Sequence, residues 1–117
     1  MIQFTLPWPP SVNRYWRTFQ GRMIISQEGR AYREAVGEQI ILQKAVCHFT
    51  GPLIVVIEAY RPDKRKRDLD NLLKATLDGL THAGVYNDDS QIVDLRIFWA
   101  NEVGGMLKVR IEYAAGT

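Results

Sequence analysis

The chain has 117 residues, of which 46% are hydrophobic and 24% charged, a balance that excludes a disordered or fibrous chain and fits one soluble domain over 1–117. Its 15 Lys and Arg against 13 Asp and Glu leave a formal charge of +2, but the signs are segregated along the chain, which points to a polyanionic partner. A domain this short buries a modest core, so clefts between copies are expected rather than one deep pocket in a single copy.

Residues 2–6 alternate and predict a short strand. No signal-peptide pattern stands at Met1 and no apolar run is long enough for a bilayer, so a cytoplasmic protein is expected. Pro7, Pro9 and Pro10 stop the strand, because proline lacks the ladder N–H. The stiffened loop 7–17, PWPPSVNRYWR, mixes basic, aromatic and amide side chains. Asn13, Arg14 and Tyr15 could touch phosphate or base, or the aromatics could fold onto the core. Gly21 turns a hairpin with 23–25 as its returning strand. Ser26 then reads as an N-cap, with Glu28 in the first turn of a helix running to about residue 46. Tyr32, Val36 and Ile40 make its apolar face, and Arg30, Arg33 and Glu34 its solvated side.

Cys47 is the single cysteine. It allows no intramolecular disulfide and is expected to pack as a small buried hydrophobe. His48 and His82 have no partner at metal-ligand spacing. Residues 53–60 are β-branched and almost continuously apolar, which predicts a central strand. A second helix is predicted from 69 or 70 to 82, closed by Gly84 at C′. Leu69, Leu72, Leu73, Thr76, Leu77 and Leu80 share one of its faces, and Asp70, Lys74 and Asp78 line the other. A polar turn at 87–90 leads to a strand at 92–99 with Asp94 and Arg96 on one side. Gly104 and Gly105 turn into a last strand at 107–113. The order β-β-α-β-α-β-β predicts an α+β fold, a mixed sheet with two main helices on one face.

The chemistry concentrates at 61–71, RPDKRKRDLDN. Lys64, Arg65, Lys66 and Arg67 would attract phosphate. Asp68 and Asp70 follow at the mouth of the second helix. Two residues apart, they would diverge on a helix but share a face in extended chain, so they can hold one ion only if Asp68 lies at or before the cap. The helix start and the basic run both favour their ionised form. Oxygen donors without Cys or paired His specify Mg²⁺ or Mn²⁺ rather than zinc. The turn at Asp88 and Asp89 offers candidates for a third carboxylate. Lys74, one helical turn past Asp70, could stabilise charge on a phosphate, or could merely pair with Asp70 or Asp78. Each feature alone is more often structural; their order and proximity favour metal-assisted cutting of nucleic acid.

Three blocks carry a family resemblance: LPWPPSVNRYWR at 6–17, ISQEGRAYR at 25–33, and RPDKRKRDLDNLLKATLDGLTHAGVYNDDSQIVD at 61–94. In these the chain resembles the RusA-type Holliday junction resolvases, over about its first hundred residues. The resemblance implies a homodimer with one site per subunit, making two symmetric, Mg²⁺-dependent nicks in a four-way DNA junction during recombination and repair. It assigns the catalytic and metal-holding roles to Asp68, Asp70 and Asp89, and a catalytic lysine to Lys74. Asp88 matches a less critical neighbour. The DNA-contacting segments it implies include Ser11, Asn13, Arg14, Lys64, Arg65, Lys66, Arg67 and Asn71. Two other readings remain: a non-catalytic DNA-binding module whose acids are caps and turns, and a small nucleotide hydrolase. The missing Gly-rich P-loop pattern weighs against the second.

Overall fold

The computed structural model of the chain describes residues 1–115, so the domain expected over 1–117 extends past the described residues at 116 and 117. Its centre is β4 (Leu53–Tyr60). The four-stranded sheet runs β1 (Ile2–Pro7), β6 (Met106–Tyr113), β4, β5 (Ile92–Trp99). β4 pairs antiparallel with β6 and parallel with β5, which makes the sheet mixed. The apolar run of β4 is explained by this interior place: Leu53, Val55, Ile57 and Ala59 are all fully buried. In register with them, Val109 and Phe4 continue the Ile57 row, and Leu107 and Leu6 the Ala59 row. Each of the Val, Leu, Ile and Phe side chains among them contributes roughly 1.5–3 kcal/mol by leaving water, and Ala59 less.

One face of the sheet is covered by α2 (Gln27–Leu42) and α3 (Leu73–His82). Tyr32, Val36 and Ile40 of α2, and Ala75 and Leu80 of α3, join the strand residues in one core. The opposite face is open and mixed in charge, with Glu58 across from Lys108 and Val56 across from Arg110. At the β1 edge the Gln43 side chain behaves like a fragment of a further strand. Its Oε1 accepts from the Thr5 N–H at 2.9 Å, and its Nε2 donates to the Thr5 carbonyl at 2.8 Å.

Several expectations need correction. The N-terminal part holds three strands before α2, not two, and one helical turn. After α1 (Val12–Tyr15), β2 (Trp16–Phe19) and β3 (Arg22–Ile25) form a separate two-stranded sheet. Their turn has positive φ at both Gln20 and Gly21, the pattern that suits a tight hairpin. The helix expected to reach residue 46 ends at Leu42. Lys44 adopts φ 58, and the Ala45 and Lys44 N–H groups turn back to the carbonyls of Ile40 and Ile41. Gly84 does the same for α3, as expected. Cys47 is exposed, not buried. Arg33 and Asp78 leave the solvated faces assigned to them and pair with each other, Nη2 to Oδ2 at 2.6 Å.

Gly29 is fixed by close approach. A Cβ there would stand 2.7 Å from the Tyr15 carbonyl oxygen and from the Ile25 side chain. Alanine normally gains about 1 kcal/mol over glycine within a helix. Here a backbone oxygen cannot yield, so Gly29→Ala is expected to destabilise by about 1–3 kcal/mol net. A urea-denaturation midpoint that rises instead of falling would refute this.

Candidate active site

β4 ends at Tyr60, and 61–67 crosses to a 3₁₀ turn at Leu69–Leu72 that continues into α3. Asp68 caps this turn in extended conformation, φ −92 and ψ 133. It is outside the helix, the condition that D-L-D needed for a shared face. Its side chain makes no capping bond; only its carbonyl accepts, from the Asn71 N–H at 3.2 Å.

The seven aspartates divide into two groups. Asp63 accepts from Arg67, with 2.8 Å between charged groups, and from the Arg65 N–H at 2.9 Å. Arg67 first, then Arg65, hold its carboxyl down to about 2. Asp78 pairs with Arg33 and Tyr15, and Asp94 with Arg96 at 3.2 Å. Asp88 accepts from the Ser90 hydroxyl and from its N–H, which lowers its carboxyl. The Gln91 Oε1 accepts in return from the N–H groups of Asn87 and Asp88 at 2.8 and 2.9 Å. Asp88 is therefore spent on capping the 3₁₀ turn Asp89–Gln91. Asp68, Asp70 and Asp89 are exposed, and their side chains have no hydrogen-bond or ion-pair partner among the described residues.

The basic segment is sorted in the same way. Arg67 is a brace: it donates to the carbonyls of Asp63 and Arg65 and lies 5.9 Å over the Trp8 ring. Lys64 and Lys66 are exposed with no ion pair among the described residues, and Arg65, also exposed, lies 3.7 Å from the Asp63 carboxylate. Trp8 stacks on Trp99 at 6.3 Å, and Arg61 lies 4.6 Å over Trp99. In the sequence Trp8 counted only as one of the aromatics of the 7–17 loop and Trp99 only as a strand end, because each lies far along the chain from the cations it supports.

A cleft of about 500 Å³ brings the two expected DNA-contacting segments together. Ser11 and Arg14 line it from one side, and Lys66, Arg67, Asp68 and Asn71 from the other, with Trp8, Pro10 and Pro62 as stiff walls. Asn13 is exposed outside this lining, Lys64 lines a separate cleft with Arg61 and Trp99, and Arg65 lines neither. Tyr15, offered as a possible nucleic-acid contact, is instead fully buried. Burial first, then its bond to Asp78, pushes its phenol up to about 12. Lys74 forms no ion pair within 4 Å among the described residues; its ammonium lies 5.3 Å over the Trp16 ring.

The donor chemistry of the three unpartnered aspartates suits a hard divalent cation. Their placement within one chain does not complete such a site. Among the described residues no three acid, His or Cys side chains are gathered closely enough to hold a metal ion. The topology explains why. β4 and β5 run parallel, so α3 carries the chain back from the finish of one to the start of the other. Asp68 and Asp70 precede α3 and Asp89 follows it.

Comparison with known proteins places these residues in a family context. The family model described as endodeoxyribonuclease RusA matches residues 7–112. The crossover junction endodeoxyribonuclease RusA of Escherichia coli (strain K12) is 50% identical over 93 residues, 80% of this chain and 78% of that one. The corresponding protein of Enterobacteria phage 82 matches to the same extent. That of Enterobacteria phage HK97 is 46% identical over 111 residues, 93% of this chain and 92% of the relative. No helix among the described residues is long and apolar enough to cross a membrane.

Proposed function

The chain belongs to the RusA endodeoxyribonuclease family, and from that premise we propose that it resolves four-way DNA junctions by paired symmetric nicks, as a cytoplasmic homodimer serving recombination and repair. The reaction is Mg²⁺-dependent, with Mn²⁺ able to substitute. The observation that carries this reading is the division of the aspartates. Four are engaged by internal partners, and the three without any, Asp68, Asp70 and Asp89, are those expected to hold metal. A fold that needs a carboxylate for structure gives it a partner, and these three have none.

Arg14 and Lys66 in the cleft offer charge to the phosphate backbone, and Ser11 and Asn71 offer neutral polar groups beside it. Lys64 and Arg65 widen the positive surface towards a second arm. Lys74, carried over the Trp16 face, stabilises the phosphate as negative charge builds on it. Asp68, Asp70 and Asp89 would hold the divalent ion, which when bound supplies charge neutralisation and a more acidic water.

Cleavage of a labelled four-way junction, and not of linear duplex, in Mg²⁺ but not in EDTA is the decisive assay. Binding that persists in EDTA with no nicks in either metal would instead favour a non-catalytic junction-binding module. That reading draws on the failure of the acids to gather within one chain. A further expected outcome concerns salt. Replacing both Arg14 and Lys66 with Ala should weaken junction binding and reduce the slope of log affinity against log salt by about 1–2, because each phosphate that a cation neutralises adds roughly 0.9 to that slope. An unchanged slope in an anisotropy titration would remove both side chains from the DNA surface.

A further inference from the structure

Lys74 stands between two aspartates of its own segment and, among the described residues, pairs with neither. Asp70 comes four residues before it. The chain winds there as the 3₁₀ turn Leu69–Leu72, and three residues per turn carry Asp70 off the Lys74 face. Asp78 comes four residues after it, inside α3, at the spacing where a lysine and a carboxylate usually meet. That carboxylate is already taken. Arg33 donates to it through Nε at 3.0 Å and Nη2 at 2.6 Å, and the Tyr15 hydroxyl donates to it as well. Burial raises the Asp78 carboxyl; bonds from Tyr15 and Arg33, then the charges of Arg33 and Lys74, lower it. Lys74 is therefore close enough to feel Asp78 without bonding to it.

What holds Lys74 is an aromatic face. Its ammonium lies 5.3 Å from the centre of the Trp16 ring, a contact that steadies a cation without supplying a counter-charge. Trp16 is itself set edge-on against Tyr15, with centroids 5.2 Å apart and planes at 88°. Tyr15 is fully buried, and Arg33 donates to its hydroxyl at 3.1 Å. Its carbonyl accepts from the Ser26 N–H at 2.9 Å. One network thus acts on Lys74 in two ways. Arg33 and Tyr15 occupy the acid that would neutralise it, and Tyr15 backs the ring that supports it. A lysine bound to a carboxylate has little charge left for a phosphate. One resting on indole keeps both its charge and its N–H donors.

We propose that Trp16, Tyr15 and Arg33 are positioning residues for Lys74: Trp16 holds the ammonium, and Tyr15 and Arg33 withhold Asp78 from it, so that an uncompensated positive charge is presented to the DNA phosphate. What that charge does rests on the nuclease reading above; the placement of Lys74 stands without it.

The test combines rates, a rescue and a spectrum. Arg33→Ala frees Asp78 to pair with Lys74, so single-turnover junction cleavage in Mg²⁺ should fall about tenfold, while junction affinity in EDTA changes by less than about threefold. Adding Asp78→Asn to Arg33→Ala removes the competing charge and should recover most of the rate, although the double variant stays less stable than wild type. If Arg33 served structure alone, the double variant would be as slow as Arg33→Ala; that result, or an Arg33→Ala that cuts at the wild-type rate, overturns the withholding of Asp78. Trp16→Leu should slow cleavage in the same way, and Trp16→Phe, which keeps an aromatic face, should cut faster than Trp16→Leu. Equal rates for the two, or a loss of binding as large as the loss of cutting, overturn the role of Trp16. The spectrum needs neither DNA nor metal. The ε-methylene protons of Lys74, identified by their disappearance in Lys74→Arg, should lie upfield through the Trp16 ring current and return to the exposed-lysine position in Trp16→Leu. Signals that coincide with those of Lys64 and Lys66 in the wild type overturn the placement. A wild type that shows the shift but does not cut sinks the nuclease reading and upholds the placement.

Discussion

Replacing Asp70 with Asn is expected to lower junction cleavage by about 10³-fold or more while junction binding survives or tightens. The substitution keeps the size of the side chain and removes only its charge. The Asp70 side chain is exposed and has no hydrogen-bond or ion-pair partner among the described residues, so the fold should lose no more than a small helix-terminus charge effect. A carboxylate facing a polyanion weakens binding unless a cation lies between them, and its loss helps the DNA to settle. Single-turnover cleavage in Mg²⁺, set beside a gel-shift in EDTA, separates the two effects. Cutting at the wild-type rate would take Asp70 out of the chemistry. A parallel loss of binding and cutting would make it a structural residue.

The second large effect falls on stability. Arg33→Ala is expected to cost about 2 kcal/mol and to lower Tm by roughly 8 °C for a chain of this size. Its guanidinium donates to Asp78 through Nε at 3.0 Å and Nη2 at 2.6 Å, and to the Tyr15 hydroxyl at 3.1 Å. Breaking a wholly buried pair costs more, but both side chains keep about a quarter of their exposure, at 27% and 26%, and the figure is scaled down accordingly.

The same pair fixes a dependence on pH. Burial pushes the Asp78 carboxyl up, but hydrogen bonds from Tyr15 and Arg33 outweigh it, so it is held below its ordinary 3.8. A carboxylate depressed by folding contributes its full stability above the unfolded value and loses it as pH falls through the lower folded value. The gap in stability between wild type and Arg33→Ala should therefore be widest near neutrality and narrow below about pH 4. An equal gap at pH 7 and pH 3 in urea melts would show that Arg33 acts by packing alone.

Much of the fold was legible because local chemistry decided it. The apolar run of β4 could be satisfied only in the interior of a sheet, and Gly84 closed α3 where a left-handed residue was needed. Asp68 was readable as lying outside the helix because a shared face for D-L-D is impossible within one. The misses have physical causes as well. β2 is largely exposed, so no alternation of burial marks it. α2 stops early because Lys44 takes a conformation that lysine seldom adopts. Arg33 and Asp78 are 45 positions apart, and nothing in either neighbourhood announces the other.

At the candidate site, position in the turn alone left Asp88 and Asp89 equivalent, and only the family resemblance set Asp89 apart. The D-x-x-Q spacing at 88–91 was the signal that the first of them would be spent as a cap. The separation of Asp89 from Asp68 and Asp70 was half legible: a helix lay between them, but whether the following turn folds back to the same end was not. It depends on β4 and β5 running parallel, a relation between strands that no single stretch encodes.

The side-chain amide of Gln43 on the Thr5 backbone bears on assembly. A sheet with both margins open can recruit copies on each side and grow without limit into a fibre. Here the β1 margin is occupied at Thr5 by a side chain from the end of α2, so a further strand cannot add there without displacing it. One glutamine thereby guards that margin against edge-to-edge growth.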